Sequence, residues 1–181
     1  LGSANAAVIE ELTKYAQETE HEKIIRGIAI ALALVMYECE EKADGLINQL
    51  LLENDPLMRY GAMYTIALAY AGTESNASIR RLLHFAVSDV SDDVRKAAVI
   101  AIGFVLLRNP EKTPKIVALL SESYNPHVRY GVTMAVGISC AGTGYDEAVK
   151  LLEPMMQDRV DFVRQGAMLG LSMVLIQTNK N

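Results

Sequence analysis

Residues 125–144 read Asn125-Pro126-His127-Val128-Arg129-Tyr130-Gly131-Val132-Thr133-Met134-Ala135-Val136-Gly137-Ile138-Ser139-Cys140-Ala141-Gly142-Thr143-Gly144, and most of this stretch can be laid over four other segments of the chain. With Gly131 as phase marker, the equivalents are Gly27, Gly61, Ala97 and Gly166, spaced 34 to 36 residues apart. A period of that size signals a stack of similar units sharing one continuous core. Two residues before the marker stand Arg59, Arg95, Arg129 and Arg164, whereas the first copy has Ile25 there and Arg26 beside it.

Each copy reads as the second helix of a two-helix unit. Asp55-Pro56 and Asn125-Pro126 combine a side chain that accepts from first-turn N–H groups with a proline whose missing N–H costs nothing at the first helical position. Ser91, followed by Asp92 and Asp93, is expected to cap in the same way, with acidic groups at the positive end of the helix dipole. About 16 residues on, Ala71-Gly72-Thr73 and Ala141-Gly142-Thr143 supply a glycine for a left-handed C-terminal cap.

Glycine inside a helix costs about 1 kcal/mol relative to alanine, so its recurrence at Gly27, Gly61, Gly131 and Gly166 calls for an offsetting gain, namely close backbone approach. One turn on lie Ala31, Thr65, Ala101, Ala135 and Gly170, and two beyond those Ala33, Ala67, Gly103, Gly137 and Ser172. Small residues at this spacing form a flat strip on which a neighbouring helix can sit closely. The remaining faces carry Met, Ile, Leu and Val, so the second helices are expected to be buried nearly all round.

Composition agrees with tightly nested helices. Hydrophobic residues make up 51% of the 181, with only 3 Phe and no Trp, and mean hydropathy is +0.16. A net charge of -5 and a pI near 5.2 argue against nucleic acid, which is met by a clustered basic face. Neither a membrane span nor a signal peptide is expected, since no apolar run of sufficient length lacks charge or stop signals. Cys39 and Cys140 read as small buried thiols of a reducing compartment, not as a disulfide framework.

Taken in order, the predicted helices cover residues 6–18 and 22–39, 42–53 and 56–71, 77–88 and 92–107, 115–121 and the opening stretch, then 146–157 and 161–176. This gives units of about 5–39, 40–72, 73–108, 109–142 and 143–177 within a single repeat domain spanning 1–181. Leu1-Gly2-Ser3-Ala4-Asn5 matches the turn that follows a second helix, so the chain is expected to start within an array. Pro110 and Pro114 are expected to bracket a turn, and Pro154 to end its helix early. The tail from Gln177 to Asn181 is short and polar. Neither end reads as a capping repeat, which leads to the expectation of an excerpt from a longer solenoid that self-associates when isolated.

No catalytic, cofactor-binding or metal-ligating residue is assigned. His21, His84 and His127 share no metal-ligand spacing. Glu38-Cys39-Glu40-Glu41 and Ser91-Asp92-Asp93 are explained by helix-end solvation and capping better than by acid–base catalysis. Gly142-Thr143-Gly144 follows a helix and is no phosphate cradle, and Ser139-Cys140 lies deep in a second helix without a visible base. The repeated arginines are expected to pair between units with acidic caps such as Asp55, Asp92, Asp93 and Asp161. An enzyme built on the concave surface would need convergent polar groups where the chain carries Gly, Ala, Thr and Ser.

Paired helices of about 35 residues, with glycine and alanine at fixed places in the second, resemble the proteasome/cyclosome repeat. The stretches 79–95, 119–131 and 160–167 carry the resemblance through loops that periodicity does not constrain. It implies an all-α fold: an α-solenoid of about five two-helix, HEAT-like repeats, excerpted from a closed or nearly closed ring. It further implies a non-catalytic scaffold of the proteasome regulatory particle, in cytoplasm and nucleus, with the particle's ATPases, ubiquitin receptor and deubiquitinase as partners. A generic HEAT-like adaptor and a cyclosome scaffold are the alternatives. The sequence departs from the family pattern at Glu38-Cys39-Glu40-Glu41, where a Gly-Arg turn is usual, and at Ala97, and it has no counterpart of the family's receptor-docking tail.

Overall fold

Helix starts follow the side chains that satisfy first-turn N–H groups. Asn5 accepts from the Ala7 and Val8 N–H groups at 3.0 and 3.4 Å, opening α1 (Ala6–Glu18). Asp55 accepts from Leu57 N at 2.8 Å, and Asn125 from His127 N at 2.8 Å, each one residue ahead of a proline in the first turn. In the computed structural model, which describes residues 1–178, α1 is followed by α2 (Glu22–Val35), α3 (Asp44–Leu51), α4 (Pro56–Ala69), α5 (Asn76–Ser88) and α6 (Asp92–Val105). The series ends with α7 (Lys112–Val117), α8 (Pro126–Ser139), α9 (Asp146–Met155) and α10 (Asp161–Leu175). Of the polar tail read from the sequence, Asn179-Lys180-Asn181 lie outside the described residues.

The even-numbered helices form an inner layer in which each packs on the next, and each odd-numbered helix packs on its own inner partner. Consecutive outer helices touch far less. That imbalance follows from side-chain size, because small residues let the inner helices approach while the outer ones keep Leu, Ile and Phe between them. The result is an all-α solenoid, with α4, α6 and α8 buried over most of their circumference.

Close approach is visible at the glycines. A Cβ on Gly61 would lie 2.8 Å from the Ala29 Cβ, one on Gly131 would lie 2.8 Å from the Val99 Cβ, and one on Gly137 would lie 2.8 Å from the Gly170 Cα. At Gly166 it would strike Thr133 and Tyr130. Gly27 departs from the expectation, with nothing within 4 Å of its Cβ position, because α2 has no inner helix on that side. Ala97 keeps a methyl group where the other units have glycine and is fully buried.

The turns after the inner helices cross-link the stack. Gly72 and Gly142 take left-handed conformations, φ +68° and +69°, as the sequence led one to expect. Their N–H groups then donate outward, to the carbonyls of Phe104 and Met173 near the end of the next inner helix, both at 2.9 Å. Gly2 donates to the Leu34 carbonyl and Glu38 to the Leu68 carbonyl in the same manner, both at 3.0 Å. Orphan carbonyls at each helix end thus find donors in the preceding unit.

Several local expectations need correction. The inner helices end earlier than predicted, at Val35, Ala69, Val105, Ser139 and Leu175, because their final turns are taken up by these caps. The Ser91 side chain makes no capping bond; instead the Asp89 carboxylate accepts from Ser91 N at 2.8 Å. Pro114 lies inside the first turn of α7 rather than in a connecting turn, a position where no intrahelical N–H is needed. Two outer helices are interrupted by 3-10 segments, Glu40–Ala43 before α3 and Ala118–Glu122 after α7. Pro154 behaves as expected: α9 ends at Met155, one residue beyond it and short of the predicted 157.

Candidate functional site

The edge where the inner helices begin carries the repeated arginines, each held one turn inside its helix. Arg129 is the fullest example. Its Nε donates to Asp158 Oδ2 at 2.7 Å and its Nη2 to Asp158 Oδ1 at 2.9 Å, while its Nη1 donates to the carbonyls of Ser123 and Tyr124 at 2.8 and 3.2 Å. Arg59 repeats the pattern with Asp89 at 2.8 and 3.2 Å and with the carbonyls of Glu53 and Asn54. Each guanidinium therefore closes its own unit's turn and grips a carboxylate of the next, in the bidentate geometry that arginine favours.

These carboxylates are shielded. The side chains of Arg59 and Asp89 are 14% and 4% exposed, and those of Arg129 and Asp158 are 7% and 11% exposed. The hydrogen bond from Arg129 holds the Asp158 carboxyl below the usual carboxylate range against the opposing effect of burial. At Asp89 burial pushes the carboxyl upward, but the Arg59 bond, the Ser91 N–H and the nearby charges carry the balance, and it too lies below the usual range.

The partners differ from those expected. Asp89 and Asp158 stand in the turns before the inner helices, and the caps Asp55 and Asp161 do not take an arginine. Asp92 accepts instead from Asn125 Nδ2 at 2.7 Å, with His127 Nε2 3.9 Å away. Among the arginines of the described residues, only Arg26, the out-of-phase residue, pairs with an expected acid, reaching Asp93 at 2.6 Å across the ring of Tyr60. That bond and Lys96 hold the Asp93 carboxyl below its ordinary range. The signal for the missed acids is in the sequence: Asp89 and Asp158 each precede a repeated arginine, Arg95 and Arg164, by six residues.

The remaining chemistry-bearing residues are scattered. His21 precedes α2, His84 stacks edge-on to Phe85, and His127 leans on Phe162 at 5.1 Å. Among the described residues no group of three His, Cys, Asp or Glu side chains converges as a metal site would. Cys140 is buried, donates to the Pro110 carbonyl at 3.3 Å, and its thiol is pushed up by burial. Cys39 and Cys140 are both free thiols. A cleft of about 410 Å³ between the starts of α2, α4 and α6 is lined by Glu20, Glu22, Arg26, Asp55, Ser91 and Asp93, which are helix-end residues and the Arg26 ion pair already described. No helix among the described residues is long and apolar enough to cross a membrane.

Two-helix units stacked through small residues, with an arginine-to-carboxylate bond from unit to unit, define an α-solenoid of the HEAT type. A HEAT-repeat family profile matches residues 79–172, and the chain belongs to that family. It is 63% identical over 170 residues to the 26S proteasome non-ATPase regulatory subunit 1 homolog B of Arabidopsis thaliana, covering 94% of this chain and 17% of that protein. It is 60% identical over 178 residues to the 26S proteasome non-ATPase regulatory subunit 1 of Drosophila melanogaster, covering 98% of this chain and 18% of that protein. The counterpart in Dictyostelium discoideum is 57% identical over 172 residues, again 18% of its length. The chain thus spans under a fifth of the length of these relatives, and the family resemblance read from the sequence agrees with them.

Proposed function

We propose that this chain is a non-catalytic scaffold module of the proteasome regulatory particle, acting in ubiquitin-dependent protein degradation. The observation that carries the reading is the combination of the regulatory-subunit relatives, at 57 to 63% identity over nearly the whole chain, with an interior spent on helix packing. A scaffold needs a fixed shape more than it needs reactive groups. The carboxylates that could serve acid–base chemistry on the arginine edge are instead held by guanidinium groups between units. Stacked units of about 5–39, 40–72, 73–108, 109–142 and 143–177 would present continuous edges to the ATPases, ubiquitin receptor and deubiquitinase of the particle, in cytoplasm and nucleus.

Affinity purification of the full-length protein from its source tests this reading. Proteasome ATPases are expected to co-purify with it. Their absence, with cyclosome subunits in their place, would transfer the chain to the other assembly built on this repeat.

A further inference from the structure

The arginine pattern is broken at one junction. Arg59 takes Asp89 and Arg129 takes Asp158, so Arg95 is due a carboxylate from the turn before α8. The residue in that position is Ser123. Its structural equivalence is plain: the Ser123 hydroxyl oxygen accepts from Asn125 N at 3.2 Å, as Asp89 accepts from Ser91 N at 2.8 Å and Asp158 from Val160 N at 2.9 Å. The Arg95 guanidinium still closes its own turn by donating to the Asp89 carbonyl, but outward, among the described residues, it meets only the Tyr124 hydroxyl, at 3.3 Å. The charge of Arg95 is felt by the Asp89 carboxylate, but that carboxylate is already gripped by Arg59.

Exposed apolar side chains stand at and beside the residues that this guanidinium bonds, Asp89 and Tyr124. Val90, next to Asp89, is 88% exposed, and Tyr124, next to Ser123, is 79% exposed. Val87, at the end of α5, is 62% exposed. Among the described residues these side chains are largely uncovered, and a half-buried cation beside exposed apolar groups is suited to a carboxylate held between apolar side chains.

We propose that the junction centred on Arg95, between Val90 and Tyr124, docks an acidic segment of a partner protein, whose Asp or Glu carboxylate takes the place that Asp89 and Asp158 fill at the neighbouring junctions. The proposal deepens the scaffold reading by naming a contact, and rests on it only in supposing a partner. Co-purification of ATPases and binding at this junction are separate measurements, and either can fail alone.

The test uses the full-length protein and two capped, fluorescein-labelled pentapeptides, one with a single glutamate between leucines and one with glutamine in its place, read by fluorescence anisotropy. The glutamate peptide is expected to bind about tenfold more tightly, the discrimination of a charge-assisted hydrogen bond. Ser123→Asp supplies the carboxylate from within the chain, so it should abolish the preference while raising the melting temperature. Arg95→Gln should abolish it as well, and Val90→Ser should weaken both peptides. Equal binding of the two peptides, or a preference that survives Ser123→Asp, would overturn the proposal. So would a concentration-dependent mass increase abolished by Val90→Ser in the absence of peptide, since the patch would then be occupied by a second copy of the chain.

Discussion

Gly103 and Ala135 meet backbone to backbone: a Cβ built on Gly103 would lie 2.7 Å from the Ala135 Cα and 2.5 Å from its carbonyl oxygen. No flexible side chain is there to yield, so even a methyl group must push α6 and α8 apart. Overpacking of this kind costs about 1 to 3 kcal/mol. Gly45, in α3, has nothing within 4 Å of its Cβ position. Thermal melts should therefore show Gly103→Ala destabilised, with Gly45→Ala neutral or stabilised by up to about 1 kcal/mol through helix propensity. The same logic orders Gly131→Leu and Gly166→Leu well below Ala97→Gly. Equal losses across the set would sink the close-packing account.

The Arg129–Asp158 pair makes stability depend on acid. Because the folded carboxyl lies below its unfolded value, the pair contributes fully above the unfolded value near 4 and its contribution is lost as pH falls through the folded value. Asp158→Asn leaves a guanidinium that is 7% exposed without its counter-charge, at a cost of about 3 to 5 kcal/mol near neutral pH. Below the folded value the gap between the variant and the native protein should close. Denaturant melts from pH 7 to pH 2 check this; a constant gap would mean that the charge of Asp158 contributes nothing.

Much of this architecture is legible in the sequence, because helix packing repeats its demands every unit. The phase of Gly61, Gly131 and Gly166, the caps at Asp55 and Asn125, and the left-handed turns at Gly72 and Gly142 each carry a local signal. The arginine partners carry only the six-residue spacing ahead of Arg95 and Arg164, which does not say which arginine they bind. Asp89 and Asp158 sit in turns outside the helical period, and their role appears only when one unit is laid against the next. Gly27 misleads for the opposite reason: it has the right phase but no inner helix beside it. Ser91 has the right residue type for a cap, yet its side chain makes no capping bond.

Glu38 takes a left-handed conformation, φ +56°, in the turn where Gly72 and Gly142 stand in other units, and its N–H donates to the Leu68 carbonyl at 3.0 Å. A side chain there costs about 1 to 2 kcal/mol, partly offset by glycine's greater freedom when unfolded. Glu38→Gly should raise the melting temperature and Gly72→Ala should lower it. A loss on Glu38→Gly would show that the turn is held by the glutamate side chain and not by its backbone.

The two ends of the inner layer leave apolar groups in water: Ile24 and Leu34 on α2, at 36% and 39% exposure, and Met168 and Leu169 on α10, at 54% and 50%. At about 25 cal/mol per Å², a few hundred Å² of such surface represents several kcal/mol for association. The isolated 181-residue chain is therefore expected to self-associate. Sedimentation across a concentration series should give masses that rise above 19.8 kDa. A monomer throughout, at tens of micromolar, would show that these faces are not sticky.

Under the proposed scaffold function, close packing of the inner helices gives the chain the shape on which regulatory-particle subunits assemble. The most direct measurement is the amount of proteasome ATPase that co-purifies with full-length protein carrying Gly103→Leu, compared with Gly45→Ala and the unaltered sequence at matched bait levels. The account expects Gly45→Ala to retain the ATPases and Gly103→Leu to lose most of them. Full retention by Gly103→Leu, or no ATPase with the unaltered protein, would contradict it.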